Sequence, residues 1–416
     1  MSRKREALFG RFLRKAAAAA LVLASAAAAQ AGTKGKPEPP GARLRVYVGT
    51  YTGSTSRGIY KVELDASTGA FVEGPALAGQ SENPSFLALH PGGRVLYAVN
   101  EVGNFRGAKT GAVSAFAVDP TTGSLTLLNQ QPSEGADPCH LAVDPEGRSV
   151  VVANYSGGSV AVLPLDADGR LLPAARVRHL SGSGPNASRQ QSPHAHGVYI
   201  DPSKKFLLTA DLGSDRVLVE RRDAAAGTLA DATPDGVTLP PGSGPRHAAF
   251  DPSGRFLYVI NELFSTVTAF RWDAERGRLE PFQTIPAVAA GFSGDNKSAE
   301  IAVSPDGRFV YVSNRGEDSI TVFRVNPDDG KLKFLEQVPA GGKTPRHFAI
   351  DPTGRWLFAA NQDSNSISLF RIDRKSGRLT PVNRPLKVVS PVCVSFVSFE
   401  QVSGRIAEEK GNDRRP

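Results

Sequence analysis

Three kinds of ionisable side chain stand along the 416-residue chain at places that suit acid–base and anion chemistry. Imidazoles occur at His140, His247 and His347, and as a pair in Ser192-Pro193-His194-Ala195-His196. Carboxylates occur at Glu101, Glu262 and Glu300, guanidiniums at Arg246, Arg315 and Arg346, and Tyr155 and Gln362 complete the set. An imidazole titrates near neutral pH and so takes or gives a proton, with carboxylates as partners in general acid/base work. Guanidinium forks match planar oxyanions and offset developing negative charge. Three other chemistries fit less well. A His194-x-His196 zinc pair needs an extended segment to bring both rings to one face, and the expectation is no metal and no cofactor. A Ser-His-Asp triad lacks any Gly-x-Ser-x-Gly elbow. Cys139 and Cys393 suit small buried apolar roles. Lying two repeat units apart, they should exceed the roughly 7 Å reach of a disulfide and remain free thiols.

An internal repeat must position these groups. A Pro-containing turn recurs six times, as in Asp144-Pro145-Glu146-Gly147-Arg148 and Asp251-Pro252-Ser253-Gly254-Arg255, and its prolines step by 54, 57, 50, 53 and 47 residues. Each turn is followed by a short apolar strand ending in a polar residue, a further strand such as Ile320-Thr321-Val322-Phe323, a Gly-centred turn and a last strand. Every unit reads as a four-stranded meander, without helical periodicity beyond a turn or two. Units of this size cannot bury both faces alone and stack radially. The expected fold class is all-β: a seven-bladed β-propeller of four-stranded antiparallel blades, closed by N- and C-terminal strands in one blade. Residues 46–51 match a second strand without its turn, and residues 391–396 match the strand that precedes a turn. Closure by both termini removes a sheet edge that would otherwise seed aggregation.

In such a repeat, shared residues build the blade and departures build the site. The strand after the turn ends on Thr50, Asn100, Asn154, Asp211, Asn261, Asn314 and Asn361, nearly constant and so a structural hydrogen-bonding cap. The next residue is Tyr51, Glu101, Tyr155, Leu212, Glu262, Arg315 and Gln362, the variety expected of a ring chosen for a ligand around a central mouth. The strand before the turn opens with Cys139-His140, His196-Gly197, Arg246-His247, Ala299-Glu300 and Arg346-His347. Three histidines at one offset suit a blade-holding role better than a ligand-binding one, yet they remain binding candidates. The segment Ser192–His196 is two residues longer than its counterparts, an irregularity better explained by function.

The rest of the composition bounds the class. A hydrophobic fraction of 40% and a charged fraction of 22% describe a globular chain, and Gly 42 with Pro 31 implies many tight turns. The net charge is +8. Residues 1–32 carry six basic side chains against Glu6, a surplus of +5 that leaves +3 for everything else. With no basic stripe interleaved with aromatics, nucleic acid is not expected as a partner. The same leader has a basic start, an Ala/Leu/Val run of 14 residues from Ala16 to Ala29 and a small-residue Ala29-Gln30-Ala31 site, the layout of a secretory signal peptide. That run is too short to span a bilayer. The organisation expected is a signal peptide at 1–31, a flexible lead-in at 32–43, the propeller at 44–400 and a disordered tail at 401–416. A periplasmic or secreted monomer, off the membrane once the leader is removed, follows from it.

Ser192-Pro193-His194-Ala195-His196, Gly244-Pro245-Arg246-His247, Asn261-Glu262-Leu263, Ala299-Glu300-Ile301 and Ser313-Asn314-Arg315-Gly316, in this order and spacing, resemble the bacterial 6-phosphogluconolactonase family and its fungal carboxymuconate-lactonizing relatives. The resemblance runs from about Arg45 to Phe399 and implies a seven-bladed propeller and a metal-free lactonase or lactone-closing enzyme. It implies a catalytic set of one His, two Arg and one Glu, falling here on His194 (or His196), Arg246, Glu262 and Arg315. Glu101, His140, Tyr155, His247, Glu300, Arg346, His347 and Gln362 are the expected substrate-binding residues, for a small lactone or carboxylate. Glu262 or a channel histidine would be the general base. An export signal sits oddly with a sugar-phosphate substrate, which points to another lactone. The rival readings are a non-catalytic exported propeller that binds a ligand or protein, and a muconate-type lactonizing enzyme.

Overall fold

The computed structural model describes residues 43–398 apart from 54 and 224–227. The expected leader, the lead-in up to residue 42 and the expected tail lie outside the described residues. Among the described residues, 28 strands form seven four-stranded antiparallel sheets. Blade 1 joins strands Arg43–Thr50, Gly58–Asp65 and Phe71–Gln80 to the C-terminal strand Pro391–Ser398, which pairs with Arg43–Thr50. Blades 2 to 7 follow at 87–132, 138–179, 195–238, 245–286, 297–339 and 345–387. The first strand of each blade (in blade 1, the C-terminal strand) touches the corresponding strand of both neighbours, and the last meets the first around the ring. These seven innermost strands therefore surround the axis.

Burial on both faces explains the continuous apolar reading of the second strands. In Phe256–Asn261 of blade 5, Leu257 and Val259 pack with blade 4 while Phe256, Tyr258 and Ile260 pack with blade 6. Seven apolar clusters result, one at each blade interface. The Pro turns are shaped by their leading carboxylate: Asp251 accepts the Phe256 N–H at 2.7 Å and the Ser253 N–H at 3.1 Å. At the other end of the second strand, Asn314 donates to Ala287 O at 2.8 Å, and Asn154 to Ser133 O at 2.8 Å. The near-constant Asn is thus a cap, buried throughout. Both cysteines are buried and free.

The innermost strand carries a register shift at its entrance in every blade but blade 2, where Leu87–Leu89 pairs in unbroken register. In blade 5 the pairing passes from Pro245↔Asn261 directly to His247↔Ile260, and blade 7 repeats this at Pro345 and His347. Such a bulge leaves one residue out of the ladder and re-aims side chains. Arg246 and His247, and likewise Arg346 and His347, are therefore both turned toward the axis, with each histidine buried.

Candidate active site

The bulge places Arg246 beside the residue that follows the Asn cap of the same blade. Glu262, 1% exposed, receives Arg246 Nε at 3.0 Å and, from blade 6, Arg315 Nη2 at 2.7 Å, both on Oε2. Its Oε1 is met by Arg189 Nη2 at 2.6 Å. Burial alone would raise the carboxyl's pKa, but Arg315, Arg246 and Arg189 outweigh it and hold the group well below the usual carboxylate range. Three guanidiniums around Glu262 favour its carboxylate form and make it a poor proton acceptor. The three cations are themselves anchored: Arg246 Nη1 donates to Ala299 O at 2.8 Å, Arg315 Nε to Lys297 O at 3.0 Å, and Arg189 Nη2 to the Tyr155 hydroxyl at 3.1 Å.

Arg189 comes from the segment before blade 4 that also carries His194. At the blade-4 place in the ring stands Leu212, fully buried, and the segment lies over it, with Gln190 Nε2 donating to Leu212 O at 2.9 Å. The sector with an apolar ring residue thus receives its charge from the loop. His194 is half-buried and stacks on Tyr155, centroids 4.4 Å apart and planes at 11°. Its Nδ1 lies 2.9 Å from Tyr155 O. A carbonyl only accepts, so Nδ1 carries the hydrogen in the neutral ring and Nε2 keeps its lone pair, without a partner among the described residues.

Below this layer the other imidazoles are buried. His140 packs on Phe86, centroids 4.0 Å apart and planes tilted by 35°, and accepts the Val198 N–H at 3.3 Å. His196 stands edge-on to Tyr155 and His247, with Nδ1 3.7 Å from Cys139 Sγ. Glu300 Oε2 joins His247 Nδ1 at 2.9 Å to His347 Nε2 at 3.3 Å. Arg246 Nη1 lies 3.3 and 3.4 Å from the two ring nitrogens of His247, which puts it over the ring rather than in its plane. Burial drives His140, His196 and His247 well below 6.5 and His347 to about 4, and raises Glu300. The bulge offset is a packed floor of desolvated imidazoles bridged by Glu300.

A second polar group closes the ring on the far side, from blades 7, 1 and 2. The Tyr51 hydroxyl lies 3.0 Å from both Glu101 oxygens and accepts Arg346 Nη2 at 2.8 Å, while the guanidinium covers the Tyr51 ring at 5.3 Å. Gln362 follows the blade-7 cap, and its amide oxygen is sealed from solvent without a partner among the described residues.

Comparison with known proteins identifies the family. Residues 45–396 match the family model described as lactonase, seven-bladed β-propeller. The chain belongs to this lactonase family. It is 38% identical to a 6-phosphogluconolactonase of Bacillus subtilis, over 84% of this chain and 97% of that one. Among solved structures it resembles the periplasmic gluconolactonase of Pseudomonas aeruginosa, with 37% identity, TM-score 0.80, and coverage of 86% and 99% of the two chains. A Bacteroides fragilis protein matches at 39% identity and TM-score 0.80, over 87% of this chain and all of that one.

Within this lactonase fold Arg246, Glu262, Arg315, His194 and Tyr155 meet in one cluster, and Glu101 and Arg346 in a second. His196, His140, His247, His347 and Glu300 lie in the floor beneath. Repeat comparison passed over Arg189, which sits in an insertion with no aligned counterpart, and left Tyr51 in the ring without a role. A cavity of about 900 Å³ between blades 5 and 6, lined by Arg255, Asp306 and Arg308 among others, sits at the Pro turns, the opposite end of the strands.

Proposed function

We propose that this chain hydrolyses a sugar-type lactone at the mouth of the propeller, after export. The observation that carries the reading is three guanidiniums gathered on one buried carboxylate, beside an imidazole whose Nε2 lone pair is free. In the reaction, His194 Nε2 takes a proton from water as the oxygen attacks the lactone carbonyl. The guanidinium wall offsets the charge on the resulting oxyanion. Collapse breaks the bond from the acyl carbon to the ring oxygen, and the His194 imidazolium returns its proton to that oxygen, leaving a hydroxy acid. Glu262 holds the arginines in place. It is not assigned as base, because a carboxylate so stabilised by positive charge has little proton affinity. Names of relatives supply the substrate class: a 6-phosphogluconolactonase and a periplasmic gluconolactonase. The latter, with the leader layout of residues 1–31, supports a periplasmic or secreted location, which cell fractionation tests.

The decisive experiment is hydrolysis of glucono-δ-lactone and its 6-phosphate by wild type and two variants. His194→Ala should lower kcat by about 10²–10⁴ with the fold retained. Glu262→Gln should lower both kcat/KM and the melting temperature, since buried guanidiniums lose their counter-charge. Undiminished turnover in His194→Ala would return the base role to another group. No turnover by wild type would favour the non-catalytic binding propeller.

A further inference from the structure

The mouth is divided by charge. Blades 3 to 6 gather Arg189, Arg246 and Arg315 on the single carboxylate of Glu262, while the other carboxylate nearby, Glu300, lies in the floor against His247 and His347. Blades 7, 1 and 2 supply one cation and one anion, Arg346 and Glu101, joined through a single hydroxyl. Tyr51 is used up by that bridge: its hydrogen goes to Glu101 and its lone pair takes Arg346 Nη2. Arg346 keeps N–H donors, and Glu101 keeps lone pairs, without protein partners among the described residues. All three side chains are half-buried rather than sealed. A fork of donors beside a carboxylate acceptor is complementary to a vicinal diol, in which each hydroxyl both donates and accepts. The same pair suits a phosphate poorly, because Glu101 repels what Arg346 attracts.

We propose that Glu101 and Arg346, held by Tyr51, form a hydroxyl-recognising subsite. The polyol face of the substrate docks on blades 7, 1 and 2 while its carbonyl end faces the arginine wall of blades 3 to 6. This deepens the lactonase reading and rests on it for orientation. It assigns specificity to a group that takes no part in proton transfer, and it predicts that a bare lactone ring is a poor substrate for want of these contacts.

The test compares glucono-δ-lactone with δ-valerolactone, the same six-membered ring without hydroxyls. The ratio of their kcat/KM values should fall about tenfold or more in Glu101→Ala and in Arg346→Ala, the scale of a lost hydrogen bond to a charged group. The change should lie mainly in the KM for glucono-δ-lactone. A ratio unchanged from wild type in folded variants would overturn the subsite. If wild type turns over neither lactone, the hydrolytic reading fails and binding alone decides the subsite. Sodium gluconate should then raise the melting temperature of wild type more than that of Glu101→Ala, whereas 5-hydroxyvalerate should shift both alike. Equal stabilisation of the two proteins by gluconate would remove the subsite independently of catalysis.

Discussion

At the scale of single residues, the chemistry turns on which groups the fold keeps charged. His140, His196, His247 and His347 are desolvated beside Arg246 and held below 6.5, His347 at about 4. In the unfolded chain each titrates near 6.5, so below that pH the unfolded state binds more protons than the folded one and stability falls with acidification. For His347 the window runs from 6.5 to about 4. Each group contributes up to about 1.4 kcal/mol per pH unit. Glu300, raised by burial, contributes with the opposite sign above its unfolded value, one group against four. Glu262, depressed, adds to acid sensitivity only below about pH 4.5. Melting temperature should therefore drop between pH 7 and pH 5, with a shallower slope in His347→Gln. A flat profile in thermal melts would mean that the imidazoles are protonated inside the fold.

At the scale of elements, one contact joins neighbouring blades repeatedly. A tyrosine on the second strand donates to the carbonyl of the glycine in the next blade's Gly-centred turn: Tyr47 to Gly123, Tyr97 to Gly169, Tyr258 to Gly330 and Tyr311 to Gly377, all at 2.8–2.9 Å. Gly330 has φ +76°, and a Cβ there would fall 2.6 Å from the Phe256 ring. Removing the hydroxyl in Tyr258→Phe should cost about 1 kcal/mol. Gly330→Ala should cost more, about 2–4 kcal/mol, since it adds left-handed backbone strain to overpacking. Urea titration of both variants checks the order. The entrance bulge is the other repeated device, and it explains why two consecutive residues of one strand, Arg246 and His247, both serve the centre, where strict alternation would send one of them away.

At the scale of the whole molecule, closure depends on the C-terminal strand. Pro391–Ser398 covers the edge of Arg43–Thr50, carries Cys393 into the core between blades 1 and 2, and donates the Val394 N–H to His347 Nδ1 at 3.3 Å. A chain ending at Ser390 would expose an apolar edge strand bearing Leu44, Val46 and Val48, which are otherwise buried. It should lose its cooperative melt and elute as aggregate in size-exclusion chromatography. A monomeric truncation with a sharp transition would show that closure is dispensable.

Much of the fold is legible in the sequence, because a repeat of about fifty residues states its own alignment. The period, the Asn caps and the split final blade specify seven four-stranded sheets. Departures from the repeat pick out Glu262, Arg246 and Arg315, since residues that build every blade cannot also differ between blades. Comparison of copies is blind where a copy has no counterpart, which hid Arg189. It is blind also to partners as far apart in the chain as Tyr51 and Arg346, which only ring closure brings within 2.8 Å. Nor does residue type reveal proton affinity. Residue type does not separate His194 from His196, yet the fold leaves His194 half-buried with an unpartnered Nε2 among the described residues and buries His196 with His140, His247 and His347, because desolvation and the field of neighbouring guanidiniums exist only once the sheets have closed around the axis.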